Sequence, residues 1–325
     1  MWQAATFDAA TIDRELGWAA MIGMNAMRVY LHDLLWTADA DAFLGRVRAY
    51  LDIADTHRIR TMFVLFDSCW DPEPSLGPQP PPIPGVHNSR WVQSPGWSAL
   101  SDPAQTPRLR AYVEGVVGAL AKDQRVLAWD VWNEPDNANM GRHVDPPGKG
   151  ERVVELLPQA FSWARTAGPS QPLTCALWRG GDWSRSEELS EIQRIAVANS
   201  DVLTFHCYAG PEAFQARVAQ LDVYQRPIIC TEYLARGAGS TFESIVPLGR
   251  RLDVGLINWG LVAGRSQTNL PWDSWRQPYI EEPPAVWHHD VFLPDGRPYR
   301  AAEAEVIKAH ALKQRTDAGD GYWLT

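Results

Sequence analysis

Two glutamates close apolar runs that have the composition of buried strands. The first ends Trp129-Asp130-Val131-Trp132-Asn133-Glu134-Pro135, where proline stops the run directly after the carboxylate, and the second ends Ile228-Ile229-Cys230-Thr231-Glu232-Tyr233. A carboxylate at the C-terminal end of a parallel strand lies on the rim where α/β folds carry their chemistry. Two of them suit glycosidic cleavage: one carboxylic acid protonates the leaving oxygen, and one carboxylate attacks the anomeric carbon or activates water. Either glutamate alone could equally be a helix cap or a surface ion pair. The repetition of the design is what gives it chemical meaning.

The elements that must position these carboxylates alternate along the chain. Strand-length apolar runs recur at residues 25–31, 60–67, 126–133, 173–178, 202–208, 227–233 and 254–261, without clean period-two alternation, as in strands buried on both faces. Helical periodicity lies between them. The stripe Phe43, Leu44, Val47, Tyr50, Leu51, Ala54 marks residues 40–57, and Leu109, Tyr112, Val113, Val116, Val117, Leu120 marks another helix. Further helices are expected over 8–21, 150–167, 187–198, 211–221, 242–252 and 301–312. Such alternation calls for parallel strands with right-handed crossovers. No glycine-rich phosphate loop favours an open nucleotide-binding sheet, so the expected fold is α/β, a (β/α)8 TIM barrel occupying residues 1–325 as one domain.

Seven strands are visible where a barrel has eight, and the chain opens on a helix. Either residues 1–7 contribute something irregular, or the first strand is absent, or the tail Gly321–Thr325 fills the gap. Absence is the expectation, and it predicts low stability, association into a homo-oligomer through the exposed edges, or an incomplete reading frame. Two connections exceed ordinary βα loops of about 2–6 residues. Residues 68–107 hold ten prolines with Trp70, Trp91 and Trp97, and residues 264–300 hold Trp272, Trp275 and Trp287. Both rise from the C-terminal face, and their indoles suit aromatic walls that stack on sugar rings.

Composition narrows the partners. With 30 Lys+Arg against 39 Asp+Glu the net charge is −9, which disfavours nucleic acid and anionic membrane and suits a neutral carbohydrate substrate. No membrane span and no signal peptide is visible. Cys69, Cys175, Cys207 and Cys230 are scattered without a C-x-x-C pair, which leans toward a cytoplasmic setting. The adjacent His288 and His289 should point apart on an extended chain, so no metal and no cofactor is expected.

Trp132-Asn133-Glu134-Pro135, Glu232 three strands later, His206-x-Tyr208, Arg28 after Met24-Asn25-Ala26-Met27, and Trp259 on the last strand resemble the retaining glycoside hydrolases of clan A, most of all family five. The resemblance runs from Arg28 to Trp259 in matching strand order and makes the missing element the first strand. It implies a β-glycosidase of the cellulase and mannanase type, with Glu134 as acid/base and Glu232 as nucleophile. It further implies that Arg28 and Tyr208 hold Glu232 ionised, that Asn133 bonds the sugar 2-hydroxyl, that His206 positions substrate or acid, and that Trp259 floors the subsite.

The chain departs from that pattern after residue 65. Where such enzymes often carry a histidine, it reads Phe66-Asp67-Ser68-Cys69-Trp70, so Asp67 and Trp70 are candidate sugar contacts, and His32 adds a polar group after its strand. The expected function is cleavage of a β-glycosidic bond with retention. A carbohydrate-binding barrel that has lost turnover and a transglycosylase are the alternatives.

Overall fold

The structure, a computed structural model, describes residues 1–139 and 143–317. Its strands are β1 (Ala26–Tyr30), β2 (Arg60–Asp67), β3 (Val126–Asn133), β4 (Leu173–Thr174), β5 (Leu203–His206), β6 (Ile228–Glu232) and β7 (Gly255–Leu256). Each falls inside a run expected from sequence. The helices are α1 (Ala9–Met21), α2 (Asp33–Ala38), α3 (Ala40–Thr56), α4 (Trp97–Leu100), α5 (Thr106–Ala119), α6 (Lys149–Thr166), α7 (Glu191–Asn199), α8 (Pro211–Asp222), α9 (Phe242–Leu252) and α10 (Ala301–Asp317). The short helices α2 and α4 carry too few turns to show a periodic stripe. Their starts are local: His32 caps α2 through Nδ1, which accepts from the Leu34 amide at 3.3 Å.

All strand pairs are parallel. The order β1-β2-β3-β4 forms one arc and β5-β6-β7 a second, joined by the bridge between Leu177 and Phe205. Outward side chains such as Phe63, Leu65, Trp129 and Val131 are buried under helices, whose expected stripes on α3 and α5 face the sheet. Inward, Met62, Ala128, Ile229 and Ile257 form a separate small cluster inside the barrel. This two-sided burial explains why the strands read as unbroken apolar runs. Polar groups also point inward: Thr174 and Thr204 share a hydroxyl hydrogen bond of 2.7 Å, and Asp130 is fully buried.

Among the described residues no strand lies between β7 and β1. The seam is a cavity of about 510 Å³ with apolar walls that include Leu16, Met27, Val29, Phe242, Leu256 and Ile307. Residues 1–7 close part of it, because the Trp2 indole donates to the Tyr30 carbonyl at 2.6 Å and packs edge-on against Phe43 and Tyr50. The tail Gly321–Thr325 lies outside the described residues. No described helix is long and apolar enough to cross a membrane.

The two long connections meet. The Asn88 amide donates to the Ser266 carbonyl at 2.8 Å, the His87 amide to the Ser274 hydroxyl at 2.9 Å, and the Gln267 side chain to the Ile83 and Val86 carbonyls at 2.8 and 2.9 Å. Gly85 has φ +72° and lies so close to Tyr279 that an added Cβ would come within 2.6 Å of its backbone.

Trp132 links this scaffold to the rim. It is fully buried as the penultimate residue of β3, and its indole donates to the Ser68 hydroxyl at 2.8 Å. Trp132→Ala should lower stability by about 3–5 kcal/mol in chemical denaturation, the usual loss for a deleted core aromatic ring.

Candidate active site

Arg28 emerges inward from β1 with its side chain only 3% exposed. Its guanidinium donates to Asp130 Oδ2 at 2.9 and 2.7 Å, to Glu232 Oε1 at 2.7 Å, to the Tyr30 hydroxyl at 2.7 Å and to Asn133 Oδ1 at 2.7 Å. Burial alone would disfavour the charge, yet the acidic groups of Tyr30, Asp130 and Glu232 reverse this and hold the guanidinium protonated. A planar fork can serve four partners from one position, which an ammonium cannot. Asp130 and Tyr30 were not legible as site residues, although each lies two residues from a named position or a core position on the same strand face.

Glu232, at the end of β6, receives Arg28 and the Tyr30 hydroxyl (2.8 Å) on Oε1 and the Tyr208 hydroxyl (2.5 Å) on Oε2. Burial pushes its acidity toward the protonated form. The charges of His206 and Arg28 and the two phenol donors outweigh that and leave Glu232 below the usual carboxylate range.

Glu134 follows β3 in the left-handed region, φ +42°, a strained backbone for a non-glycine residue. His206 Nδ1 sits 2.8 Å from Oε1, while Oε2 accepts from Asn137 at 2.7 Å and from the Cys69 thiol at 3.3 Å. Burial and the charges of Asp67 and Glu134 raise Cys69 well above the usual thiol range, so it stays a neutral donor. Oxygens of Glu134 and Glu232 and a ring nitrogen of His206 lie within 4.8 Å of one another. That spacing could in principle hold a cation. Both Glu232 oxygens are already taken by donors, one of them a guanidinium, which repels a second positive charge.

A cavity of about 210 Å³ opens over these carboxylates. Tyr30, Trp91 and Trp259 meet edge to face on one side, with ring centroids 4.8 to 5.8 Å apart, and Trp70, Trp272 and Tyr208 supply further walls. Asn133, Asn137, Trp178, His87 and Asn88 also line it. Of the positions singled out from sequence, Glu134, Glu232, Asn133, Tyr208, Trp70 and Trp259 line the cavity, and Arg28 and His206 bond the carboxylates from behind.

Two positions depart from their expected places. His32 caps α2 and lies 3.3 Å from Asp33; it is not among the cavity residues. Asp67 is buried behind the wall, where Oδ1 accepts from Asn133 at 2.9 Å and Oδ2 from the Trp91 indole at 2.5 Å, so it holds the lining in place instead of forming it. His288 and His289 do not point apart: their rings lie 4.6 Å from centroid to centroid, with Trp272 packed against both. Neither belongs to the one converging ligand set found among the described residues.

No family model and no curated protein matches the sequence. Solved structures do. GH5_18 from Streptomyces cattleya, in complex with Manβ1-4GlcNAc, matches with TM-score 0.63 and 14% identity over 98% of this chain and 78% of that one. A β-glucosidase matches with TM-score 0.63 and 13% identity over 96% and 89%. The endo-β-1,4-mannanase from Thermotoga petrophila matches with TM-score 0.60 and 14% identity over 97% and 76%. The fold is that of the family-five glycoside hydrolase barrels. In it this chain shows seven of the eight strands among its described residues.

Burial raises the Asp67 carboxyl to about 6 against the hydrogen bonds from Asn133, Trp91 and Cys69. The unfolded chain releases this proton near 3.9. Between about pH 4 and 6 the folded state therefore binds more protons, and stability falls as pH rises through that window. Urea unfolding across the window should show Asp67→Asn with a shallower decline than the parent chain, the remaining slope including Asp290, also raised to about 6 by burial.

Proposed function

We propose that this chain is a retaining β-glycoside hydrolase in which Glu134 is the acid/base and Glu232 the nucleophile. The observation that carries the reading is the separation of the two carboxyl groups. One carboxylate oxygen of Glu134 lies within 4.8 Å of one of Glu232 at their closest approach. Double displacement uses carboxyl groups about 5–5.5 Å apart, whereas inversion leaves room for water at about 6.5–9.5 Å.

The two environments divide the labour. Glu232 is held ionised by Arg28, Tyr30 and Tyr208, and an ionised carboxylate is what attacks the anomeric carbon. Among the described residues Glu134 has no guanidinium partner; it contacts His206, Asn137 and Cys69, of which the amide and the thiol are neutral donors. In the first step the bond from anomeric carbon to leaving oxygen breaks, Glu134 gives its proton to that oxygen, and Glu232 forms the glycosyl ester. In the second step Glu134 takes a proton from water, which displaces Glu232 and restores both groups. Asn133, held between Arg28 and Asp67, faces the sugar 2-hydroxyl in this scheme. The neighbours in fold that bind or cleave β-1,4-linked mannosides and β-glucosides support a β-linked carbohydrate substrate.

A second reading, sugar binding without turnover, is favoured by one observation. The seam cavity reaches Arg28 and Tyr30, so the support of Glu232 borders a space that no described strand fills.

Three kinetic outcomes test the first reading. Glu134→Gln should lose about 10²–10⁴ in kcat on substrates with poor leaving groups, much less on dinitrophenyl glycosides, and azide should restore part of the loss. Glu232→Ala should abolish turnover, and full turnover in that variant would end the assignment. Arg28→Lys should move the acid limb of kcat/KM to higher pH, because removing the fork lets burial raise Glu232. Sugar binding by calorimetry with no product from the parent chain would favour the second reading.

A further inference from the structure

We infer that this site accepts only the non-reducing terminal sugar on its glycone side and releases it as a monosaccharide, so the chain shortens its substrate from the end. The inference rests on the glycosidase reading and adds the direction and extent of the substrate.

Direction follows from which carboxylate protonates the leaving group. Glu134, after β3, gives its proton to the leaving oxygen, so the departing part of the substrate lies on the side of Glu134, Asn137 and Trp178. Trp178 is partly exposed, its indole donating to Asp136 at 2.6 Å, and Arg179 beside it is open to solvent. Among the described residues the leaving side therefore opens outward. The ring that is attacked must lie over Glu232, among Tyr30, Trp91 and Trp259.

Extent follows from what lies beyond that ring. The connections after β2 and β7 flank the β1 side of the mouth, opposite β4. Where they meet, His87 and Asn88 line the same cavity while only 1% and 3% exposed. Both are fixed across the junction: the Asn88 amide to the Ser266 carbonyl, the His87 amide to the Ser274 hydroxyl, and the His87 ring to the Leu270 carbonyl at 2.7 Å. The Gln267 bonds and the backbone approach of Gly85 to Tyr279 close the junction behind them. On this side, a second sugar attached to the attacked ring would have to pass through this buried, hydrogen-bonded wall. The cavity volume agrees. About 210 Å³ lies below the roughly 300–1,000 Å³ of sites that take drug-sized ligands, and it has room for one sugar ring.

Likeness of fold does not decide the point, because a β-glucosidase and an endo-acting mannanase match this chain about equally well. The chemistry is hydrolysis throughout: the terminal glycosidic C–O bond breaks, the leaving oxygen takes the proton of Glu134, and hydroxide from water ends on the released sugar.

The test uses β-1,4-mannotetraose and cellotetraose carrying a fluorescent label at the reducing end, with the full chain as enzyme. The expected first products are labelled trisaccharide and free monosaccharide, followed by labelled disaccharide. Early labelled mono- or disaccharide with free di- or trisaccharide, or a rapid fall in the viscosity of soluble mannan or carboxymethylcellulose, overturns the inference and leaves the glycosidase reading standing. Failure to cleave either tetrasaccharide or any of a panel of aryl β-monoglycosides overturns both. The double variant Gly85→Ala/Gln267→Ala, which forces the junction apart without touching the cavity lining, should begin to release free disaccharide. An unchanged product pattern in a folded double variant would show that this wall is not what limits the glycone side.

Discussion

One buried positive charge organises the mouth of this barrel. Arg28 is surrounded by Asp130, Glu232, Tyr30 and Asn133, and its fork geometry fixes all four relative to β1. Taking such a charge out of water is costly unless every donor finds an acceptor. The two acidic partners meet that need, and in return Glu232 stays ionised inside an aromatic cavity. Burial still leaves Asp130 above the usual carboxylate range, and its Oδ1 has no hydrogen-bond partner among the described residues. The network is therefore tuned toward Glu232, the carboxylate that faces the cavity, and away from Asp130, which lies beneath it.

The remainder of the site follows from that fixed point. Asn133 is shared between Arg28 and Asp67, Asp67 ties Trp91 to β2, and Trp91 meets Tyr30 and Trp259 edge to face. A displacement of Arg28 would pass through hydrogen bonds to both carboxylates and to the cavity wall. Backbone strain collects at the same place. Glu134 and Trp70 both have left-handed φ, +42° and +70°, and both line the cavity. Such conformations persist only where surrounding contacts over-determine them. Here those contacts include the two Asn139 bonds to Trp70 and the partners of Glu134.

Much of this was legible in the chain itself, because burial on both faces leaves a strong compositional trace. Seven apolar runs became seven parallel strands, and both glutamates came to one mouth because strand ends in this architecture share a rim. What the sequence does not disclose depends on side-chain direction and on loop geometry. Tyr30 and Asp130 look like ordinary members of apolar runs, and only their inward orientation joins them to Arg28. His32 carried the right chemistry for a sugar contact, yet a six-residue helix begins directly after it and claims its ring as a cap. Asp67 stood at the rim as expected, but the proline-rich connection folds Trp91 across it, and its carboxylate is engaged by the Trp91 indole and the Asn133 amide. The pairing of His288 with His289 arises from irregular backbone, where the rule for extended chains does not hold. Contact between the two long connections is a property of their tertiary packing, which no local pattern encodes.

The most direct test asks where the sugar becomes attached. Incubation with a 2-deoxy-2-fluoro β-glycoside bearing a good leaving group, followed by proteolysis and mass spectrometry, reports the residue that carries the trapped sugar. Attachment to Glu232 is the predicted result. A label on any other side chain, or rapid turnover of a natural β-glycoside that first yields the α-anomer, would contradict the assignment of Glu232 as a nucleophile held ionised by Arg28.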